Sequence, residues 1–280
     1  MARTDAVVAH PAAALEPPST PLVQTVFWGC ARVFSIVVLI VLWEGLARSG
    51  AFTPFVLPSL SSVIERMWTD AVSGDLFVNI GLTVYRAMVG FFICMVFGIL
   101  IGVAMSRNVI ANWFFDPIIS VGFPMPKIAF LPVVILWLGV YDVSKITIVV
   151  IDAIFPVIAA TVIAIRGVEK ELIWSARNMG ANDRELMWQI VLPAALPQIL
   201  TGLQVALPIS MIVAVVAEML MGGYGLGGAM MTASRFADSR GVFAGIVEIA
   251  IVGYVLIKLM SLIRRRLLIW HQEANEPTTA

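Results

Sequence analysis

Residues Ala87–Ser106 read AMVGFFICMVFGILIGVAMS, with no charged residue between Arg86 and Arg107. A helix needs about 20 mostly apolar residues to cross the hydrocarbon core of a bilayer, and this stretch supplies them. A longer charge-free window, Leu186–Ala217, contains Pro193 and Pro197. Those prolines break a helix, so the span is predicted to start near Leu196. The remaining apolar windows are interrupted by single ionisable groups. Together they predict about six transmembrane helices, near 27–47, 85–106, 113–138, 144–165, 196–220 and 242–262. The fold class is therefore all-α and polytopic.

Composition excludes the other classes. Of 280 residues, 60% are hydrophobic and 13% charged, against about 45–50% and about 25% in a soluble domain. A water-soluble core of this size would leave apolar surface with nothing to cover it. A disordered chain would need low hydrophobicity and high net charge. Eighteen basic and eighteen acidic residues cancel, which leaves no overall field to hold nucleic acid. Cys30 and Cys94 both lie in apolar runs, and His10 and His271 lie in the polar tails. That placement argues against a disulfide or a metal site.

The first 24 residues are rich in Pro, Ala and Ser and lack an apolar core, so they read as a disordered tail rather than a signal peptide. The expected organisation is a tail over 1–24, a transmembrane domain over 25–265 and a second tail over 266–280. Even-numbered spans put both termini on one side. With the termini inside, the inner segments hold Arg3, Arg32, Arg107, Arg166, Lys170, Arg177, Arg184 and Arg264–Arg266. The outer segments hold the smaller set Arg48, Arg66, Arg86, Lys145, Arg235 and Arg240. The positive-inside rule then makes both termini cytosolic.

The loop between the fourth and fifth spans, 167–196, does not read as a plain loop. It contains VEKELIWSARNMGANDRELMWQIVLPAALP (Val168–Pro197). One short helix is predicted from about Glu169 to Met179, closed by Gly180 as the left-handed residue. Asn182 caps the next, with Glu185 three positions on to complete a capping box. This second helix is expected to stop before Pro193. Trp174, Leu186, Met187, Trp188 and Ile190 would then sit on a cytosolic loop. Such residues either dock a partner or pack under the chain's own helices and in the membrane interface.

The same loop resembles a known family. Permease subunits of bacterial ATP-binding-cassette importers carry E-A-A-x3-G-x9-I-x-L-P. Here Gly180 is followed after nine residues by Ile190, and then by Leu192 and Pro193. Trp174 and Ser175 stand where the motif has Glu and Ala, and Ala176 matches. PMPKIAFLPVVILWLGVYDVSK (Pro124–Lys145), VVAEML (Val215–Leu220), GLG (Gly225–Gly227) and VLPSLSSV (Val56–Val63) are similar to the nitrate/sulfonate/taurine-type members. The resemblance runs from Leu46 to Trp270. It implies a homodimeric pore in the bacterial inner membrane and a periplasmic solute-binding protein. It also implies a cytosolic ATPase dimer, which holds ATP and Mg and docks on Trp174–Ile190 with Leu186, Met187 and Ile190 as its apolar contacts. The implied solute is a small anion such as a sulfonate, taurine or nitrate. An ion-gradient-driven secondary transporter is the alternative.

The chain itself has no G-x-x-x-x-G-K-[ST] loop, so ATP is expected elsewhere. The glycine-rich run Gly222–Gly228 lacks the lysine and reads as an outer-face turn. There is no G-x-S-x-G and no H-E-x-x-H for an intramembrane hydrolase. Charges at membrane depth are costly and mark function or pairing. Lys127 falls beside Pro124 and Pro126, which are expected to break the third span, and Asp152 lies in the fourth. Counted from the turn at Gly139–Ser144 the two share a depth and are expected to pair. The pair is either structural or part of an anion pathway. Glu218 closes the fifth span, either as an interfacial charge or as part of a gate. Gly98 and Gly102 mark either a close helix contact or ordinary glycine enrichment.

Overall fold

The computed structural model describes residues 22–269. Most of the two predicted tails, with His10 and His271, lies outside them. The described residues form helices joined by short turns. In chain order these are α1 (Leu22–Arg48), α2 (Leu60–Ser73), α3 (Asp75–Arg107), α4 (Val109–Gly122), a 3₁₀ turn (Lys127–Phe130), α5 (Leu131–Leu138) and α6 (Asp142–Arg166). Then follow α7 (Lys170–Asn178), α8 (Asp183–Glu185), a π-helical stretch (Leu186–Val191), α9 (Leu192–Met221), α10 (Leu226–Arg235) and α11 (Ser239–Leu267).

Four helices among the described residues are long and apolar enough to cross a membrane: α3, α6, Asp183–Met221 and α11. Counting the bent pair Val109–Gly122 and Lys127–Leu138 as one makes five. The first expected window, 27–47, coincides with α1, which is not among them. The third window, 113–138, is not one straight helix but two pieces bent by 94°. Pro124 and Pro126 lie at the bend, and each pushes its preceding residue out of the helical region. The second window starts earlier than its apolar run. α3 begins at Asp75, straight after Gly74 ends α2 in the left-handed region at φ 87°. At 1.5 Å per residue, its 33 residues reach about 50 Å, well beyond a hydrocarbon core of roughly 30 Å.

The core is built on α3, α6 and α9. Gly90, Gly98 and Gly102 lie on one stripe of α3, each four or eight residues from the next. A Cβ on Gly90 would sit 2.5 Å from Val149 Cγ1, one on Gly98 2.7 Å from Val157 Cγ1, and one on Gly102 2.6 Å from Thr161 Cβ. Each contact pairs residues 59 positions apart, so α3 and α6 run parallel with their backbones in close approach. Cys94, the fourth member of the stripe, is buried, and its Sγ lies 3.5 Å from Val150 O. Small residues let helices approach this closely where lipid supplies no hydrophobic drive. α9 packs against both: Leu200, Leu203, Ala206 and Leu207 join Phe91, Cys94, Ala153 and Val157 in one buried cluster.

Candidate functional site

At one end of the bundle, α6 turns into α7 and then α8. Gly180 has φ 89°, a conformation that costs an L side chain roughly 1–2 kcal/mol. Its N–H donates to Arg177 O at 3.0 Å, and that of Ala181 donates to Ala176 O at 3.1 Å. That pair of bonds is a Schellman closure of α7. Asn182 Oδ1 then accepts from Glu185 N at 2.9 Å, and Glu185 Oε2 accepts from Asn182 N at 2.9 Å. Two opposed end-locks thus hold a rigid helix–turn–helix.

The second helix does not stop before Pro193. It runs unbroken from Asp183 to Met221. The π-helical stretch, in which Leu192 N bonds back to Met187 O, widens the turn ahead of Pro193 and makes room for its ring. Fifth-span residues therefore begin inside the loop itself.

The π turn also decides which residues face outward. Leu186 and Met187, expected as contacts for a partner, are buried with Ala164, Ile165, Ala176, Val191, Ala195 and Ile199. Trp174 and Trp188 are each 59% exposed, and Leu172, Ser175, Met179, Glu185 and Pro193 are exposed as well. Ile190 and Leu192 are half-buried. Leu172, Gln189, Ile190 and Pro193 line a groove of about 540 Å³ beside them.

Inside the apolar region, Lys127 Nζ lies 3.2 Å from Asp152 Oδ1 and donates to Phe123 O at 2.9 Å. The ring of Phe155 lies 4.9 Å from the ammonium. The break after α4 frees the Phe123 carbonyl, and the cation sits at that helix's negative end. Lys127 is buried, whereas Asp152 keeps about a quarter of its side chain exposed.

At the opposite end, Glu218 is not an interfacial charge but fully buried. Its Oε1 pairs with Arg86 Nη1 at 2.5 Å, and Thr83 Oγ1 and Gly227 N donate to Oε2 at 2.8 and 3.1 Å. Arg86 continues to Asp142 Oδ1 at 2.7 Å and to Tyr224 O at 2.6 Å. Lys145 Nζ donates to Gly222 O at 2.8 Å. Gly222–Gly225 form the expected turn while Leu226–Gly228 already open α10, and the run is wrapped round this carboxylate. A Cβ at Gly225 would collide with Glu218, and one at Gly227 with Val215 O. Glu218 also occupies the start of α10, where backbone N–H groups and the helix dipole favour an anion. Sequence reasoning counted Arg86 and Lys145 among the charges of the outer segments and missed Thr83 and Asp142. The usable signal was Arg86 closing an otherwise charge-free window.

Among the described residues, no group of His, Cys, Asp or Glu could hold a metal ion. The arrangement contains a rigid external handle, a broken helix with one buried cation and a latched far end. It suits movement of a solute rather than bond chemistry.

Residues 94–269 match the family described as binding-protein-dependent transport system inner membrane component. The taurine transport system permease protein TauC of Escherichia coli (strain K12) is 31% identical over 246 residues, 86% of this chain and 90% of that one. A putative aliphatic sulfonates transport permease protein, SsuC of Bacillus subtilis (strain 168), is 33% identical over 233 residues, 83% and 84% of the two chains. A riboflavin transport system permease protein, RibX of Chloroflexus aurantiacus, is 28% identical over 236 residues, 84% and 88%. In three dimensions, a chain of the MetNI methionine ABC transporter in an inward-facing conformation superposes with TM-score 0.55 at 17% identity. That match covers 68% of this chain and 98% of the other, and it shows a shared fold.

Proposed function

The chain belongs to the family of binding-protein-dependent transport system inner membrane components, and from that premise we propose how it carries its solute. It is a multi-pass inner-membrane permease subunit of an ATP-driven importer. It is not itself an enzyme, and hydrolysis belongs to a separate subunit. In our reading, two copies form the pore, a cytosolic ATPase dimer binding ATP and Mg docks on the helix–turn–helix, and a periplasmic protein delivers the solute. The solute is a small anion of the sulfonate or taurine kind.

The observation that carries this is the handle formed by α7 and α8. It is rigid, both its ends are capped, and Leu172, Trp174, Met179 and Trp188 are uncovered where Leu186 and Met187 are not. Arg107, Arg166, Arg177 and Arg184 lie at the same end. Arg107 Nη2 donates to Asp183 O at 3.2 Å, which ties the end of α3 to the handle. This supports placing that end, and both termini, in the cytosol.

Reconstitution tests the reading. Uptake into liposomes is expected to require the ATPase, internal ATP and the binding protein. Gly180→Asp is expected to leave insertion intact and to uncouple uptake from hydrolysis. Uptake by the chain alone on an ion gradient, or unimpaired coupled uptake in the variant, would overturn it.

A further inference from the structure

Beyond the latch, the α10 end holds a second polar feature with no role so far. A pocket of about 520 Å³ lies between α2, α3, α10 and α11, within the range of small-molecule sites, about 300–1,000 Å³. Four carboxylates line it, those of Asp70, Asp75, Asp238 and Glu248, against one cation, Arg66. Glu248 lies nine residues into α11 from Ser239, roughly 13 Å from its start. It is 8% exposed, and its Oε1 is buried without a hydrogen-bond partner among the described residues. A buried carboxylate left unpaired is costly, whichever protonation state it takes.

The one cation of the lining does not relieve it. Arg66 Nε donates to both oxygens of Asp70 at 3.0 Å, and its Nη1 donates to Asp238 Oδ2 at 2.7 Å. The other Asp238 oxygen caps α11 by accepting from Gly241 N at 3.1 Å. Asp70 and Asp238 are thus satisfied from within. Asp75 meets a neutral donor, the Ser73 hydroxyl, at 3.1 Å, and Glu248 Oε1 meets none. The surplus charge of the lining is negative, so it repels an anionic solute. No group of His, Cys, Asp or Glu among the described residues could hold a metal ion. An organic cation needs no such cage, only a carboxylate in reach. Leu76, Ala229 and Met230 offer an apolar wall to a short stem. The rings of Tyr224 and Phe236, 72% and 81% exposed, also belong to the lining, and aromatic faces attract cations.

We propose that this pocket binds an organic cation, a primary ammonium or guanidinium group on a short apolar stem, with Glu248 as its anionic partner. The observation behind it is an orphaned buried carboxylate in a pocket whose one lining cation is already shared between two others. The inference goes beyond the importer reading and does not depend on it. The ligand is either a free amine or the Lys or Arg side chain of a protein docked at this end, and the chemistry is the same. The pocket shares residues with the turn round Glu218: Tyr224 O accepts from Arg86 Nη1 at 2.6 Å, and Asn79 Oδ1 from Gly225 N at 2.8 Å. An occupant therefore sits against the latch.

The test uses the full chain in phosphatidylcholine nanodiscs at neutral pH, with empty nanodiscs as the blank and binding followed by calorimetry. Butylammonium and butylguanidinium are compared with butanol and butanesulfonate. Each cation is expected to bind at least about tenfold more tightly than the alcohol, the worth of one charge-assisted hydrogen bond, and the sulfonate not at all. Glu248→Gln is expected to bring the cations down to the level of the alcohol. Equal binding of cation and alcohol to the unmodified chain, binding of neither, or binding of the sulfonate would overturn the proposal whether or not the variant folds. A preference that survives in the folded variant would overturn it too, as would displacement of butylammonium by Ca²⁺ at equal concentration, the mark of a metal site. In the reconstituted importer, displacement of butylammonium by the solute-binding protein assigns the ligand to a side chain of that protein, and simultaneous binding assigns it to a free amine.

Discussion

Replacing Glu218 by Gln tests the latch at the α10 end. Gln keeps the shape and one acceptor oxygen, so Thr83 and Gly227 can retain a bond. The NH₂ group then faces the Arg86 guanidinium, donor against donor. Both partners are buried, with side-chain exposures of 0% for Glu218 and 4% for Arg86. Breaking such a pair costs about 3–5 kcal/mol, because a charge is left buried and uncompensated. Arg86 keeps Asp142 and Tyr224 O, which places the expected loss at the lower end, about 3 kcal/mol. That is roughly a hundredfold in the folded-to-unfolded ratio. The control is Asp142→Asn. Asp142 touches the same Arg86 but is 49% exposed, and an exposed pair is worth about 0.2–1 kcal/mol. Equilibrium unfolding in mixed micelles, read by tryptophan fluorescence, measures both. The Arg86→Met/Glu218→Met double variant removes both charges and should be less destabilised than the worse single change. If Glu218→Gln costs no more than Asp142→Asn, burial does not govern this network and the reasoning fails.

Three further outcomes follow from particular contacts. Gly98→Ala should destabilise by about 1–3 kcal/mol through overpacking against Val157, whereas Gly253→Ala, with open space beside it, should be neutral or stabilise by up to about 1 kcal/mol; the same unfolding assay decides. Trp188→Ala should change stability by no more than about 0.5 kcal/mol and yet reduce ATPase co-purification and coupled uptake severalfold; undiminished coupling would show that this face docks nothing. Lys127→Met should be less stable than Lys127→Met/Asp152→Asn, since the double variant leaves no unpaired carboxylate. If that double variant takes up the solute as the unmodified chain does, the pair is structural only.

What could be read from residues alone followed the range of the interactions involved. Apolar windows are local, so Ala87–Ser106 declared its span without help. The prolines at 124 and 126 announced a break, because each acts on its immediate neighbour, although the angle of that break depends on tertiary packing. Gly180, Asn182 and Glu185 were legible for the same reason: every bond they make lies within six residues. Pairings across the chain were not. Arg86 and Glu218 lie 132 positions apart, and nothing near Arg86 distinguishes a latched guanidinium from a snorkelling one. Leu186 and Met187 lie buried against the chain's own helices, the alternative the residues left open, because that choice depends on how α7 and α9 pack rather than on any local pattern. One π-helical stretch turns the apolar face inward and leaves Trp188 outside. The glycine run was visible as a turn, but the carboxylate it encloses was not.

The continuous helix Asp183–Met221 ties these features together. It begins with the capping box of the handle, presents Trp188 within its first two turns and carries Glu218 three residues before its end. Its 39 residues correspond to about 58 Å at 1.5 Å per residue. Gly202 of this helix meets Ala160 of α6 so closely that a Cβ there would collide, and α6 in turn is pressed against the small-residue stripe of α3. Close-packed interfaces are bistable rather than continuously deformable. A push at Trp188 would then be carried as displacement of α9 against α6, with Pro197 and Pro208 inside α9 as the places where it could bend instead. At the far end, Glu218 holds α9 to α3 through Arg86 and Thr83, and to α10 through Gly227. The latch is thus the place where such a displacement must either break buried polar bonds or drag α3 and α10 along. The cost of breaking, about 3 kcal/mol or more for one partner, favours dragging. The helices would then move together, and the 94° bend at Phe123–Pro126 is a place where the chain can yield.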